Sequence, residues 1–335
     1  MNTKHTTVLV TGGGGFIGSH VVDLLLENGH SVKLLSRKLA VQEPWKGKDI
    51  TVVPGNLRDA DSVVGAMQGM DAVFHIGEVR NTSSGKASLN ILLVERMVAA
   101  LKTSGVKRLV FVSSLSVAGI PLAIPATEDT PAAQVLRDQY TEYKRKAEEI
   151  IRQSPGGVEH VILRPGVVYG PGSRYLGRLV DAIRRFGPLG LPFIGPGTNL
   201  MPLIHVKDLA RAVFLAGTAP GAANQTINLT DGERRTWLEL FTAVAEANRK
   251  RFRLIPVHPA LARLPAMFFD LFTGIFGQSL DLPSYVSYIS RDVHFDNGRA
   301  RSALGWDPAY LDLRDAVRDM VAWYAKRKEQ DHGHA

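Results

Sequence analysis

The amino-acid sequence predicts an α/β protein, in which a doubly wound parallel sheet is followed by a smaller C-terminal substrate lobe. Short β-branched apolar runs alternate with amphipathic stretches over the first half of the chain, a pattern typical of βαβ units. A glycine-rich loop at residues 11–18 separates the first apolar run from the first amphipathic stretch. Because βαβ crossovers are right-handed almost without exception, these observations indicate a Rossmann-type sheet.

The predicted strands and helices follow one another in order along the chain. We expect strands at the apolar runs 7–10, 31–35, 50–53, 71–76, 108–112 and 160–163. We expect helices at 17–27, 60–67, 89–101, about 135–152 and 174–186. Asn28 and Gly29 end the first helix. Asp59 is a candidate cap for the second, because its carboxylate can accept from the free N–H groups of a first turn.

Beyond Arg164 the density of glycine and proline rises, which marks a change in organisation. At about 150 residues per domain, a chain of 335 residues corresponds to about two domains. We therefore expect a dinucleotide-binding domain at 1–165, to which residues of about 204–220 return, and a mainly substrate-binding lobe at 166–330. Substrate pockets of open α/β sheets form at the carboxyl ends of the strands, where such a lobe lies.

The composition excludes several classes of chemistry. There is no cysteine, so disulfides, thiolate metal sites and cysteine nucleophiles are ruled out, and no His, Asp and Glu spacing indicates a metal site. The formal net charge is +8, but the basic residues are scattered, which disfavours a nucleic-acid interface. No apolar run reaches about 18 residues and no signal peptide is evident, so we expect a cytoplasmic protein without stable membrane insertion. The expected partner is a small-molecule substrate, and a homodimer is compatible with the sequence.

Gly12, Gly15 and Gly18 stand at the spacing GxxGxxG between the first predicted strand and the first predicted helix. A pyrophosphate at that helix N-terminus would meet free N–H groups and the positive end of the helix dipole. Side chains on the loop would block its approach. A glycine-rich turn without a ligand has the same local sequence, but the strand, loop and helix together favour dinucleotide binding.

The end of the second strand bears on the choice between nicotinamide cofactors. An NAD site has an Asp or Glu about 20 residues beyond the loop, where it binds the ribose diol. Here the strand ends in Ser36, Arg37 and Lys38, whose two cations suit a 2′-phosphate. We therefore favour NADP(H), with NAD(H) left open because cations are also common in loops. After the third strand, Asn56 and Leu57 either contact the adenine or form a turn and helix cap.

Tyr140 and Lys144 are four residues apart on a predicted helix, so their side chains share one face. A neighbouring ammonium favours ionisation of a tyrosine, and Tyr140 could then exchange a proton with a carbonyl oxygen. Ser113 and Ser114, at the end of the fifth strand, offer a hydroxyl to orient that carbonyl. Tyr143 has no lysine four residues further on. Such a Tyr–Lys pair is common on helix surfaces, and it indicates catalysis only together with the glycine loop and the serines.

These motifs resemble those of the extended short-chain dehydrogenases/reductases, over about residues 7–325. The matching segments are TGGGGFIGSH at 11–20, GNLRD at 55–59, DAVFHIG at 71–77, VSSLSVAG at 112–119, YTEYK at 140–144, RPGVVYGPG at 164–172, IHVKDLARA at 204–212 and FDNGRARSALGWDP at 295–308. Each segment alone has low specificity, whereas the whole set in this order is highly specific.

The resemblance implies a catalytic group of Ser114, Tyr140 and Lys144. Ser114 is preferred to its neighbour because it lies five residues before Gly119, as the family's motif places it. Asn90 matches an Asn that supports the active-site geometry, or it caps a helix. The resemblance also implies a cofactor site. Its residues are Gly12, Gly15, Phe16, Ile17, Gly18, Ser36, Arg37, Lys38, Asn56, Leu57, His75, Ile76, Gly77, Val112, Tyr140, Lys144, Pro165, Gly166, Val167 and Val168.

Departures from the family's usual motifs narrow the subfamily. The sequence has VAG at 117–119 where the family has VYG, and HIGE at 75–78 where it has HLAA. Val167 stands where nucleotide-sugar epimerases and dehydratases usually have the Asn that binds the sugar nucleotide. The chain therefore looks more similar to the branch of 3β-hydroxysteroid dehydrogenases and dihydroflavonol reductases, which act on ketones or alcohols of apolar molecules.

Three functions compete on this evidence. The first is an NADP(H)-dependent oxidoreductase that interconverts a ketone and a secondary alcohol on a largely apolar molecule, with Tyr140 as general acid and base. The second is a nucleotide-sugar epimerase or dehydratase that grips a diphosphate with the arginines of the helix at 174–186, although a basic helix face also explains those arginines. The third is a non-catalytic NADP-binding sensor on the same fold. A sensor needs no proton donor, so the Ser–Tyr–Lys set disfavours it.

Further expectations concern two histidines, one aspartate and one segment. We expect His75 and His205 to be structural residues with satisfied hydrogen bonds, and Asp208 to cap a helix that begins at Leu209. The segment 264–276 has apolar residues at helical spacing. It therefore forms either a wall of an apolar substrate pocket or part of the core of the C-terminal lobe.

Overall fold

The computed structural model describes residues 5–37, 45–79, 86–262 and 282–332. Its strands are β1 (Thr7–Thr11), β2 (Ser31–Ser36), β3 (Ile50–Pro54), β4 (Ala72–His75), β5 (Arg108–Val112), β6 (Ile120–Pro121), β7 (Ala132–Gln134), β8 (Glu159–Pro165), β9 (Val167–Tyr169), β10 (Leu191–Ile194), β11 (Leu203–His205), β12 (Gln225–Leu229) and β13 (Leu254–Val257). Seven of them form one parallel sheet in the order β12-β8-β5-β4-β1-β2-β3. The predicted fold class is thereby confirmed.

Helices cover both faces of this sheet. The helices of the described residues are α1 (Phe16–Glu27), α2 (Ala60–Met67), α3 (Lys86–Ala100), α4 (Gln139–Ile151), α5 (Arg174–Phe186), α6 (Val206–Thr218), α7 (Trp237–Ala247), α8 (Leu282–Ile289), α9 (Gly298–Leu304) and α10 (Leu313–His332). Alternate residues of β1 point to opposite faces, so Val8 and Val10 pack with α1 and α6, while Leu9 packs with α2, α3 and α4. Because both faces are covered, β4 and β5 are buried at every position.

The C-terminal part of the chain forms a further core from α5, α7 and α10. Two short parallel sheets, β9 with β11 and β10 with β13, border this core. β12 belongs instead to the edge of the central sheet, where it pairs with β8. The apolar runs of the sequence do not predict this strand, and the division of the chain near residue 165 stays a prediction.

The predicted start of α4 near residue 135 is wrong, because the helix begins at Gln139. β7, which pairs with β6, ends at Gln134, and residues 135–138 lie between this strand and the helix. Asp138 then caps the helix, and its Oδ1 accepts from the N–H groups of Tyr140 and Thr141 at 3.0 Å each. The cap places Tyr140 in the first turn of α4.

The predicted capping role of Asp208 is also wrong. α6 begins at Val206, and Asp208 lies within its first turn. The carboxylate of Asp208 accepts from the backbone N–H groups of Ala309 and Tyr310, both at 2.9 Å. Asp208 therefore attaches the C-terminal segment to α6. The capping role predicted for Asp59 is confirmed, since its Oδ1 accepts from the first turn of α2.

Lys38 and the segment 264–276 lie outside the described residues, so their predicted roles stay predictions. Within the described ranges, no helix combines the length and the apolar surface that a membrane crossing requires. The same ranges contain no group of three or more His, Cys, Asp or Glu placed to hold a metal ion.

Candidate active site

The glycine loop lies at the carboxyl edge of the sheet, between β1 and α1. Gly12 has φ +75°, and a Cβ on it would lie 2.4 Å from Gly77 Cα in the segment after β4. A Cβ on Gly18 would lie 2.2 Å from Gly12 O. Real Cβ atoms do not approach other atoms so closely, so neither position accommodates a side chain. The spacing of these glycines therefore reflects backbone packing as well as access for a ligand.

The same loop fits a dinucleotide pyrophosphate. Gly15 precedes α1 and offers no side-chain cap to its N-terminus, and the first turn of α1 contains no acidic residue. A Cβ on Gly14 would have no atom within 4 Å, so space is open beside the loop. Free N–H groups, the positive end of the helix dipole and open space are what an anionic group requires at this place.

The carboxyl end of β2 presents Ser36 and an exposed Arg37. Ser36 O accepts from Gly55 N at 3.1 Å, which joins this end to the segment after β3. In that segment Asn56 Oδ1 accepts from Arg58 N at 3.1 Å, so the side chain of Asn56 stabilises a local turn. Of the two alternatives for Asn56, this hydrogen bond supports a role in a turn. A contact of Asn56 with the adenine stays a prediction.

His75, at the carboxyl end of β4, is a buried structural residue. Its Nδ1 lies 2.8 Å from Thr11 Oγ1, and its ring stacks on Phe111. Burial, together with the charge of Lys144, lowers the pKa of His75 to about 3, so the ring is neutral. Its Nε2 has no hydrogen-bond partner within the described ranges. The cofactor contacts predicted for His75, Ile76 and Gly77 stay predictions.

His205 differs from the prediction of satisfied hydrogen bonds. Both of its ring nitrogens are buried without a partner among the described residues. Its ring instead stacks on Tyr310 and meets Tyr169 edge-on. Burial, then the charges of Lys207 and His20, lowers the pKa of His205 to about 4. His205 is therefore a neutral packing residue.

Tyr140 and Lys144 occupy one face of α4 but differ in exposure. Tyr140 is 40% exposed, whereas Lys144 is 3% exposed. Lys144 Nζ lies 5.6 Å from the centroid of the Tyr140 ring. It donates to Val112 O at the end of β5, at 2.9 Å. Lys144 thus attaches α4 to the carboxyl end of β5 and places a positive charge beside the accessible phenol of Tyr140.

Tyr143 belongs to the core rather than to the site. It is 2% exposed, and its hydroxyl has no hydrogen-bond partner within the described ranges. Burial raises the pKa of Tyr143 well above its usual value, and the charges of Glu78 and Tyr140 raise it further. A buried phenol of this kind is a poor proton donor. Of the two tyrosines, the structure therefore favours Tyr140 as the proton donor.

The two serines after β5 have different surroundings. Ser113 is buried and donates to Glu148 Oε1 at 2.6 Å. Arg164 holds the same carboxylate with two hydrogen bonds, from Nε at 2.9 Å and from Nη2 at 2.6 Å. Ser114 is only partly buried, and its Oγ accepts from Ser116 N at 3.2 Å. The hydroxyl of Ser113 is thus used in the hydrogen-bond network of Glu148 and Arg164. The predicted role of Ser114, to orient a substrate carbonyl, stays a prediction.

Residues after β8 carry the chain from the sheet toward the C-terminal core. A Cβ on Gly166 would lie 2.4 Å from Pro202 O, so this position also requires glycine. Val167 N donates to the same oxygen at 2.7 Å. Pro165 pairs with Leu229 of β12. The Val167 side chain is partly buried and offers no hydrogen bond at the position where sugar-nucleotide enzymes of the family have Asn.

The sequence motifs leave two features of the site unpredicted. Asp138, the cap of α4, is an Asp directly before an amphipathic run, and that signal was present. Glu78 was recognised only as a departure from a motif, yet its Oε2 lies 3.4 Å from Lys144 Nζ. Asn90 does support this region, since its side chain makes two hydrogen bonds to the backbone of Val79.

A Rossmann-type sheet with a glycine loop before α1 and a Tyr–Lys pair on α4 defines an NAD(P)-dependent oxidoreductase of the extended short-chain dehydrogenase/reductase class. The chain belongs to the NAD dependent epimerase/dehydratase family, whose model matches residues 8–230.

Relatives and solved structures support the assignment. A "3 beta-hydroxysteroid dehydrogenase/Delta 5-->4-isomerase" of Mycobacterium tuberculosis is 27% identical, over 98% of this chain and 93% of its own length. A "2-alkyl-3-oxoalkanoate reductase" of Stenotrophomonas maltophilia is 31% identical, over 72% of this chain and 75% of its own. The structure of "MoeE5 in complex with UDP-glucuronic acid and NAD" has a TM-score of 0.73 at 24% identity and covers 96% of this chain and 99% of its own, which shows a shared fold.

Proposed function

We propose that the protein is an NADP(H)-dependent oxidoreductase that interconverts a ketone and a secondary alcohol on a largely apolar small molecule. One observation carries the proposal: the exposed Tyr140 phenol lies over the buried Lys144 ammonium, on the helix beside the sheet edge that holds the glycine loop. This arrangement supplies a proton donor next to a fixed positive charge. A protein that only senses a nucleotide needs neither.

Each residue of the pair has a distinct task. The nicotinamide cofactor, when bound, supplies the hydride for reduction of a carbonyl carbon. Tyr140 donates the proton that the carbonyl oxygen needs, and it accepts that proton in the reverse direction. Lys144 stabilises the phenolate that Tyr140 leaves behind, because a positive charge favours the ionised form of a phenol. Ser114 is proposed to orient the carbonyl through its hydroxyl.

The cofactor is proposed to lie along the carboxyl edge of the sheet. The backbone at Gly12, Gly15 and Gly18 would receive the pyrophosphate. Arg37, exposed at the end of β2, would bind the 2′-phosphate that distinguishes NADP(H) from NAD(H). Contacts of the remaining predicted cofactor residues, and a homodimeric assembly, stay proposals.

Val167 supports an apolar substrate over a sugar nucleotide, since its side chain cannot bind polar groups through hydrogen bonds. The names of two relatives, a hydroxysteroid dehydrogenase and an oxoalkanoate reductase, agree with a ketone or alcohol on an apolar molecule. The arginines of α5 that are described, such as Arg178, Arg184 and Arg185, are exposed, which fits a solvated helix face.

The proposal is tested by NADPH oxidation, measured as loss of absorbance, with two panels of compounds. One panel holds steroidal and alkyl ketones, and the other holds nucleotide sugars. We expect stoichiometric NADPH consumption with at least one apolar ketone. Turnover confined to nucleotide sugars, without net consumption of NADPH, would show an epimerase instead.

Replacement of Arg37 by Ala tests the cofactor preference. The intact protein should bind NADPH more tightly than NADH, and the variant should lose about tenfold in NADPH affinity, the value of a charged hydrogen bond. NADH affinity should stay the same, because NADH lacks the 2′-phosphate. Fluorescence titration of both cofactors measures the four constants. Lys102→Ala, an exposed cation on the loop that precedes β5, is the matched control. Equal or tighter NADH binding by the intact protein would refute the preference.

A further inference from the structure

Glu78 brings a negative charge into the site beside Lys144. Its Oε2 lies 3.4 Å from Lys144 Nζ, and the two side chains are 19% and 4% exposed. Solvent screens a sheltered pair of this kind much less than a surface pair. The family's HLAA motif ends in a small apolar residue at this position, so the charge is a property of this chain rather than of the motif.

The backbone around Glu78 is fixed from both sides. The preceding Gly77 N donates to Thr11 O of β1 at 3.0 Å. The following Val79 donates its N–H to Asn90 Oδ1 at 2.8 Å and accepts from Asn90 Nδ2 at 3.3 Å. Asn90 itself is 5% exposed. The backbone that carries Glu78 is therefore held by β1 and by α3.

Three further neighbours of Lys144 are uncharged groups. Nζ donates to Val112 O, and it lies 4.9 Å from the Phe111 ring centroid and 5.0 Å from that of Tyr143. Rings and a carbonyl stabilise an ammonium only in part once it is removed from water. The carboxylate of Glu78, whose Oε2 is 3.4 Å from Nζ, compensates this charge.

The titratable groups around Lys144 come from two elements. Tyr140 and Tyr143 lie on α4, and Glu78 and His75 lie at the end of β4. His75 is neutral, and Tyr143 stays protonated because burial raises its pKa well above the usual value. Neither of these two groups therefore changes its charge beside Lys144 over the working pH range, whereas Glu78 brings a carboxylate to it.

We propose that Glu78 is a positioning residue that keeps Lys144 charged and in place, and thereby sets the pH range in which Tyr140 donates its proton. The inference rests on the proposed function for its consequence in catalysis. A carboxylate stabilises the protonated forms of both neighbours. Its removal therefore lowers the pH at which the pair loses its first proton, whichever of the two groups loses it.

The kinetic test compares the pH dependence of kcat/KM for carbonyl reduction in the intact protein and in Glu78→Gln. Reduction requires a protonated Tyr140 and a charged Lys144, so the rate falls as pH rises through the first ionisation of the pair. We expect this fall to occur about one pH unit lower in Glu78→Gln. Glu78→Asp keeps the negative charge and should restore most of the pH range over which the intact protein reduces the carbonyl. Glu149→Gln removes an exposed carboxylate from α4, the helix that carries Tyr140 and Lys144, and should leave the pH dependence of kcat/KM unchanged.

A second readout does not need a substrate. Protein labelled with ¹³C at the tyrosine Cζ gives a Tyr140 resonance, which is identified by its absence from Tyr140→Phe. The first inflection of this resonance with pH should also move about one unit lower in Glu78→Gln. An unchanged inflection, or one moved to higher pH, overturns the inference even in an active enzyme. A lowered inflection in a protein that reduces no carbonyl upholds the inference and refutes the proposed function.

Discussion

Replacement of Tyr140 by Phe is expected to lower turnover about 10²- to 10⁴-fold, the range typical of a lost general acid. Phe keeps the ring over Lys144 and removes only the hydroxyl that donates the proton. Affinity for NADPH should change little, because the glycine loop and Arg37 are untouched. Steady-state rates with the ketone found in the panel, together with fluorescence titration of NADPH, measure both effects.

Tyr143→Phe is the matched control for this prediction. The Tyr143 hydroxyl is buried and has no hydrogen-bond partner in the described ranges, so its removal should leave turnover within about twofold and should not destabilise the fold. Full turnover in Tyr140→Phe, with loss of turnover in Tyr143→Phe, would show that the wrong tyrosine has been assigned.

Arg164→Met is expected to destabilise the protein by about 3 kcal/mol, the lower end of the cost of removing one partner of a buried ion pair, because Ser113 and Arg152 still contact the Glu148 carboxylate. The Glu148 side chain is 1% exposed and that of Arg164 is 12% exposed. Arg164 holds both carboxylate oxygens, while Arg152 Nη2 reaches Oε2 from the partly exposed end of α4 at 2.8 Å. Denaturant unfolding followed by tryptophan fluorescence measures the change.

The loss of stability in Arg164→Met should depend on pH, and its sign follows from the pKa of Glu148. Burial acts to raise the pKa of Glu148, but Arg164, then Ser113 and Arg152, outweigh it and hold the pKa below its usual value. The group therefore stabilises the fold above the pKa of an unfolded Glu, and this contribution is lost as pH falls through the folded value. The difference between Arg164→Met and the intact protein should be largest near neutral pH and shrink in acid.

An exposed ion pair supplies the control for Arg164. Arg314 Nε lies 3.3 Å from Glu246 Oε2, and both side chains are more than half exposed. Arg314→Met should cost no more than about 1 kcal/mol, as is usual for surface pairs. Equal losses in the two variants would mean that the Glu148 network contributes no more than a surface pair does.

Much of the fold could be predicted because its signals are local. The strands at β1 to β5 are short apolar runs, and α2 and α5 have the predicted bounds. One error is local, since Asp138 caps α4 and the helix begins only after it. Another comes from a contact that is distant in sequence, because Asp208 binds the backbone of residues 309–310 instead of capping its own helix. β12 is recognisable as a strand of the central sheet only through its pairing with β8.

The candidate site shows the same division. The spacing of Tyr140 and Lys144 predicted a shared helix face, and the structure places them there. Sequence spacing could not show that Ser113 is bound to Glu148, which lies 35 residues away, or that Glu78 meets Lys144. Both contacts depend on which strand ends are neighbours in the sheet. Sequence motifs predict which residues belong to the site, whereas the order of the strands determines which of those residues are in contact.

The most direct measurement of the proposed chemistry follows a deuterium label from the cofactor. NADPH carrying deuterium at the transferable position is mixed with the protein and the apolar ketone that consumes NADPH, and the product is examined by mass spectrometry. Hydride transfer with protonation by Tyr140 predicts one deuterium per product molecule, on the carbinol carbon, with one NADP⁺ formed for each alcohol. An alcohol without deuterium, or a product formed while the cofactor is regenerated, would contradict net reduction by this site.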